Sequence, residues 1–124
     1  MRVLDIDHTA IKTARLAETR AFFVEVLGLR VGPRPAFDFA GTWLYAGDKD
    51  VVHLVETEHD KLPSPAASIS HFALRVADFD ATLARLRALA VPFELDVTPG
   101  GELRQVYVTD PNGVRVELNA PGPS

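Results

Sequence analysis

The sequence has no cysteine, so it can form no disulfide, Cys-ligated zinc site, iron–sulfur cluster or cysteine nucleophile. Any metal it holds must sit on His, Asp or Glu. Long apolar runs are also missing: the longest stretch free of Asp, Glu, Lys and Arg is 62–74, broken by Pro63 and Pro65. A membrane span needs roughly 18 apolar residues, which this stretch does not supply. Positive charge is scarce, with 13 Lys and Arg against 17 Asp and Glu and a formal net charge of −4. Without a basic cluster to neutralise phosphates, a nucleic-acid partner is not expected. The opening MRVLDIDH puts Asp5 and Asp7 where a secretory segment would be apolar, so a cytoplasmic location is expected. There is no glycine-rich phosphate loop and no Ser-His-Asp arrangement.

What remains is a chain of 124 residues, 47% hydrophobic, the size of one compact domain. Segments rich in β-branched and aromatic residues predict strands near 3–12, 29–34, 41–46, 50–56, 68–76, 92–97, 103–109 and 113–119. Two helical patterns interrupt them. The first, 16–28, gathers Leu16, Phe22, Phe23, Val26 and Leu27 on one side and ends at Gly28, suited to a left-handed cap. The second, 78–90, opens on Asp78 as N-cap and repeats Phe79, Leu83, Leu86 and Ala90. The order is strand, helix, three strands, twice over. This gives one domain over 1–124 with a module at about 1–57, a joint at 58–67 and a second module at 68–120.

The two modules match in sequence. Laying IDHTAIKTARLAET on ISHFALRVADFDAT aligns His8 with His71 at an offset of 63, along with Ile6/Ile69, Ala10/Ala73 and Thr19/Thr82. Further on, Tyr45 aligns with Tyr107 and Asp48 with Asp110 at 62, and His53 meets Glu117 at 64. Strand alternation puts Phe72, Leu74 and Val76 on one face and His71, Ala73 and Arg75 on the other. In the last strand Val114, Val116 and Leu118 oppose Arg115, Glu117 and Asn119. A polar sheet face opposite a helix-covered one is costly unless it is a site or open to water. Four repeat-equivalent strands thus present His8, His53, His71 and Glu117, a donor set suited to a borderline divalent ion. His59, in the polar joint without a repeat partner, reads as a solvated loop residue.

With these residues in place, the chain resembles the vicinal oxygen chelate superfamily of glyoxalases, bleomycin-resistance proteins and extradiol dioxygenases. The paired modules, the His of IDHTAI, the VVHLVE strand, the His of ISHFAL and the closing DPNGVRVEL carry the resemblance. It implies an α+β fold of two βαβββ modules in tandem, forming a concave mixed sheet around a metal, usually in a homodimer. His8, His71 and Glu117 stand where metal-dependent members have two His and one Glu. His53 stands where glyoxalase I has a metal-binding Glu that also moves protons. Around this set, Trp43, Tyr45, Arg75 and Arg115 are candidates for substrate binding, with Arg34 and Arg104 as further cations. Phe37 and Phe39 read as core packing, and Tyr107 shares the face of Glu117.

Three functions are carried forward. The first is a glyoxalase-like enzyme dependent on one divalent ion per site (Zn, Ni, Co, Fe(II) or Mn), acting on a small oxygen-chelating substrate by isomerisation, epimerisation or addition. There His53 is a fourth ligand. The second is an iron(II) extradiol-type dioxygenase, in which His53 and Tyr107 act catalytically on substrate protons. The third is a metal-free drug-binding protein using Trp43 and Tyr45. In a homodimer, one site can draw His8 and His53 from one chain and His71 and Glu117 from the other.

Overall fold

The computed structural model describes residues 1–122. The chain divides between Lys61 and Leu62 into two compact units, inside the segment 58–67. In the first unit, β1 (Thr9–Thr13) leads into a helix α1 (Leu16–Ala21) that continues as a π turn over Phe22–Val26. Three strands follow: β2 (Arg30–Gly32), β3 (Gly41–Ala46) and β4 (Lys49–Glu56). The second unit repeats this order with β5 (Phe72–Arg75), α2 (Phe79–Ala88), β6 (Glu94–Val97), β7 (Leu103–Thr109) and β8 (Arg115–Pro121). Each unit holds one mixed four-stranded sheet, ordered β1-β4-β3-β2 and β5-β8-β7-β6. The expected βαβββ plan is present in both.

The repeat extends to ladder register. β1 runs parallel to β4 with Ala10 beside His53, and β5 parallel to β8 with Ala73 beside Glu117. These pairs reproduce the offsets of 63 and 64 read from the sequence. The alignment of Tyr45 with Tyr107 does not hold in the ladders, because Trp43 lies opposite His53 while Tyr107 lies opposite Glu117. The first unit also carries a bulge: Leu44 pairs with Val52 but Tyr45 with Asp50, so Val51 is left as an extra residue on β4.

In the first unit, alternate residues Ile11, Leu44, Val52 and Leu54 pack with Phe23 and Leu29 in the core. Thr13 and Thr19, both buried, tie β1 to α1: Thr13 Oγ1 accepts from the Arg15 amide at 2.8 Å, and the two hydroxyls meet at 3.1 Å. The first helix is therefore not uniform. One α turn gives way to a wider π turn where Phe22 and Phe23 meet edge to face at 5.4 Å, and Gly28 closes it at φ +74°. In the second unit, Phe79, Leu83 and Leu86 of α2 bury against Val106, Val108, Val116 and Leu118. Asp78 caps α2 by accepting from the Ala81 amide at 3.0 Å. Ala90, expected on the helix face, lies beyond its end with φ +54°.

The first strand of each unit is shorter than expected, and the reasons differ. Continuing the β1–β4 register backwards would set Asp7 beside Asp50, two like charges in adjacent strands. Instead Lys49 Nζ reaches the Ile6 carbonyl at 3.0 Å. In the second unit, Ser64 occupies the edge that residues 68–71 would need. Its amide donates to the Gly113 carbonyl at 2.9 Å, and its Oγ accepts from the Arg115 amide at 2.8 Å. Among the described residues no helix is long and apolar enough to cross a membrane.

Candidate functional site

His8 and His71 each stand one residue ahead of the first strand of their unit. Their rings are anchored in the same way. His8 Nδ1 pairs with Asp7 Oδ2 at 2.7 Å, and His71 Nδ1 with Ser70 Oγ at 2.7 Å. In both, the side chain of the preceding residue holds Nδ1, which turns Nε2 away from that residue, in His71 toward Glu117. Metal-ligating imidazoles are held in this way, one nitrogen fixed by a neighbour and the other offered to the ion.

In the second unit, His71 Nε2 lies 3.2 Å from Glu117 Oε1. Two ligand atoms in adjacent positions on one ion, each bonded at about 2.1 Å, would lie about 3 Å apart. Glu117 is buried, 5% exposed, and Asn119 Nδ2 donates to its Oε2 at 2.6 Å and Gln105 Nε2 to its Oε1 at 3.1 Å. Burial alone would raise its pKa. Hydrogen bonds from Asn119, Gln105 and Tyr107, with the charge of His71, outweigh burial and hold it below the ordinary carboxylate value. The Tyr107 hydroxyl shifts upward, through burial first and then its bond to anionic Glu117, so it stays protonated and donates. Its ring meets His71 edge to face at 5.5 Å. Arg75 Nε donates to Asn119 Oδ1 at 2.7 Å, which extends the network one strand outward.

In the first unit, the His53 ring is sandwiched. His8 stacks on one side at 3.7 Å between centroids and Trp43 on the other at 3.9 Å. His53 Nε2 donates to Asp50 Oδ2 at 2.5 Å, and this bond, more than any other cause, draws the Asp50 carboxyl below its usual pKa. The spacing of three between Asp50 and His53 would place them on opposite faces of a regular strand. The bulge at Val51 brings them to one face. With its rings stacked nearly parallel at 18°, the His8–His53 pair does not converge on a common point. The surroundings of His53 are those of a carboxylate-oriented imidazole.

The remaining candidates are placed as follows. Trp43 and Tyr45 share the face of His53. Tyr45 lies over Gly32, where a Cβ would come within 2.5 Å of its ring, donates its hydroxyl to the Pro33 carbonyl and carries Arg30 over its face. Phe37 and Phe39, expected in the core, are each 44% exposed and stack on one another at 4.9 Å with Arg34 against both. Their place on the Arg34 loop rather than in a strand keeps them out of the core. Arg115 lies 4.1 Å over the Tyr107 ring and pairs with Glu94, while Arg104 is spent on Asp80 and the Phe79 ring. His59 is exposed, as expected of a loop residue. Sequence reading missed Asp50, Ser70 and Gln105. Ser70 had a visible signal, since it occupies the repeat position of Asp7.

The sequence profile of the glyoxalase/bleomycin resistance protein/dioxygenase superfamily matches residues 5–118. The chain belongs to that superfamily. A comparison with curated proteins gave no match. Among solved structures it is similar to a Bacillus anthracis protein assigned to the glyoxalase family, with TM-score 0.82 and 24% identity, covering 98% of both chains. It is also similar to an integron cassette protein from a Halifax Harbour sewage outfall, at TM-score 0.75 and 21% identity over 94% of this chain and 99% of that one. The fosfomycin resistance protein FosX of Listeria monocytogenes matches at TM-score 0.75 and 17% identity, over 97% of this chain and 93% of that one. At these identities the likeness is one of fold, and the superfamily fold of paired βαβββ modules agrees with the two sheets described above.

Proposed function

We propose that the protein is a divalent-metal-dependent enzyme of glyoxalase type, with His8, His71 and Glu117 as metal ligands and a small oxygen-bearing substrate. The observation that carries this reading is the shared anchoring of His8 and His71, each with Nδ1 held by its preceding residue, with His71 Nε2 turned to Glu117. Among the described residues no three His, Asp or Glu side chains cluster around one point, and His71 with Glu117 is the pair that the second unit supplies. Two imidazoles and a carboxylate suit zinc, nickel, cobalt, iron(II) or manganese. The ion would hold substrate oxygens and stabilise negative charge developing on them.

The protein's own residues divide the remaining work. Asp50 accepts the Nε2 proton of His53, which leaves the lone pair on Nδ1, and an imidazole so oriented serves as general base. Tyr107, kept protonated beside Glu117, is the matching proton donor. Trp43 fixes the plane of the His53 ring, so its place is behind the base, not only along a substrate wall. FosX, a resistance protein, shares the fold, which is in keeping with a small-molecule substrate. The same arrangement supports a second reading, the iron(II) extradiol-type dioxygenase, because three protein ligands leave positions open for a bidentate substrate and dioxygen. We further propose a homodimer and a cytoplasmic location.

Metal content of purified variants tests the assignment. His53→Ala should retain the metal of the parent, while His71→Ala and Glu117→Ala should lose it and His59→Ala should change nothing. Loss from His53→Ala equal to that from His71→Ala would restore His53 as a ligand. Iron in the parent favours dioxygenation; nickel, zinc or cobalt favours the glyoxalase-type reaction.

A further inference from the structure

The second unit contains a cavity of about 240 Å³ whose walls include Pro63, Pro65, Glu94, Tyr107, Gly113 and Arg115. Its proline wall is built in. Ser64, 7% exposed, bonds through its amide to the Gly113 carbonyl at 2.9 Å and through its hydroxyl to the Arg115 amide at 2.8 Å. Gly113 has φ +82°, and a Cβ there would lie 2.5 Å from Pro63. The 62–67 segment is therefore clamped on the turn between β7 and β8.

The other wall is an aromatic ring capped by a cation. The Arg115 guanidinium lies 4.1 Å from the Tyr107 centroid, a stacking that leaves its hydrogen-bonding edge available. That edge meets Glu94 Oε2 at 3.3 Å. The Glu94 side chain is 78% exposed, and so solvated an ion pair holds weakly and exchanges readily. A cation with a replaceable partner therefore borders a preformed apolar slot.

We propose that this cavity is a binding subsite for a small molecule carrying an oxyanion, a carboxylate or phosphonate, on a compact apolar body. The oxyanion takes the Arg115 edge in place of Glu94, and the apolar body lies between the prolines and the Tyr107 ring. Glu94 acts as a built-in competitor. Anions without an apolar body gain too little to displace it, which gives the subsite its selectivity. This inference rests on the metal-enzyme reading only for calling the bound molecule substrate, since Tyr107 also donates to Glu117.

The test is an NMR titration of the ¹⁵N-labelled protein with benzoate and with phenylphosphonate, acetate and inorganic phosphate serving as controls. Saturable shifts at the Ser64, Gly113 and Arg115 amides are expected with at least one of the two aromatic probes, and the tighter one identifies the oxyanion. Glu94→Gln, an exposed change with little risk to folding, should tighten that probe at least threefold. Arg115→Ala should weaken it at least tenfold and Arg115→Lys by less. His71→Ala should lose the metal yet keep the shifts, so the subsite and the metal assignment can fail separately. The inference is overturned if neither aromatic probe binds, if acetate or phosphate binds as tightly, if Glu94→Gln fails to tighten binding, or if Arg115→Ala leaves it unchanged.

Discussion

Three imidazoles at repeat-related positions are held in two different ways, by the residue just before them or by a carboxylate three residues back. His8 and His71 have Nδ1 tied down, whereas His53 has Nε2 bonded to Asp50. Loss of an outer partner commonly costs a metal site about 10–100-fold in affinity. Ser70→Ala should therefore weaken metal binding by about that factor, measured by competition with a chromophoric chelator, while His71 itself remains. Asp50 makes a separate prediction in acid. Its bond with His53 lowers its folded-state pKa, so the stability it contributes is present above the unfolded value of about 3.9 and is lost as pH falls through the lowered one. Unfolding midpoints measured from pH 6 downward should fall less steeply for Asp50→Asn than for the parent. The positions of His8, His71 and Glu117 were legible in the sequence because the duplication pairs His8 with His71 and strand alternation sets the face of Glu117. Asp50 was not, because a single bulged residue reverses the phase of everything before it.

Elements were legible where local chemistry sets them. Asp78 caps α2, Gly28 closes the first helix, and the Asp-Pro-Asn-Gly turn is held by Asp110, which accepts from the Asn112 and Val114 amides at 2.8 Å each. Strand beginnings were not legible, since they depend on partners distant in sequence: Ser64 on the edge of β8, and Asp50 opposite Asp7. The end of α2 also departs from ordinary chemistry. The Val91 amide donates to the Leu86 carbonyl at 2.9 Å and that of Ala90 to Arg87 at 3.1 Å, a Schellman closure with alanine where glycine is usual. Ala90→Gly should stabilise the protein by about 1 kcal/mol, the usual penalty of a left-handed alanine, read from denaturant midpoints. Gly113→Ala should have the opposite effect. A left-handed backbone and Pro63 at 2.5 Å both oppose the new Cβ, and a loss of about 1–3 kcal/mol is expected.

For the whole molecule, sheet edges and exposed apolar side chains bear on assembly. β2 and β6 end their sheets, and Leu95 and Val97 of β6 are 55% and 56% exposed. Val3, Leu4, Ile6 and Ile69 are more exposed still. Apolar side chains left uncovered along strand edges are the ordinary mark of an interface. Sedimentation at micromolar concentration should find a homodimer, and a strict monomer would contradict that. The central claim is that the His8 and His71 imidazoles and the Glu117 carboxylate serve a divalent ion. Elemental analysis of the protein after mild, chelator-free purification and reloading tests it most directly. The account predicts one ion per site in the parent and none in His71→Ala or Glu117→Ala. A parent that takes up no zinc, nickel, cobalt, iron(II) or manganese under any loading condition would contradict it.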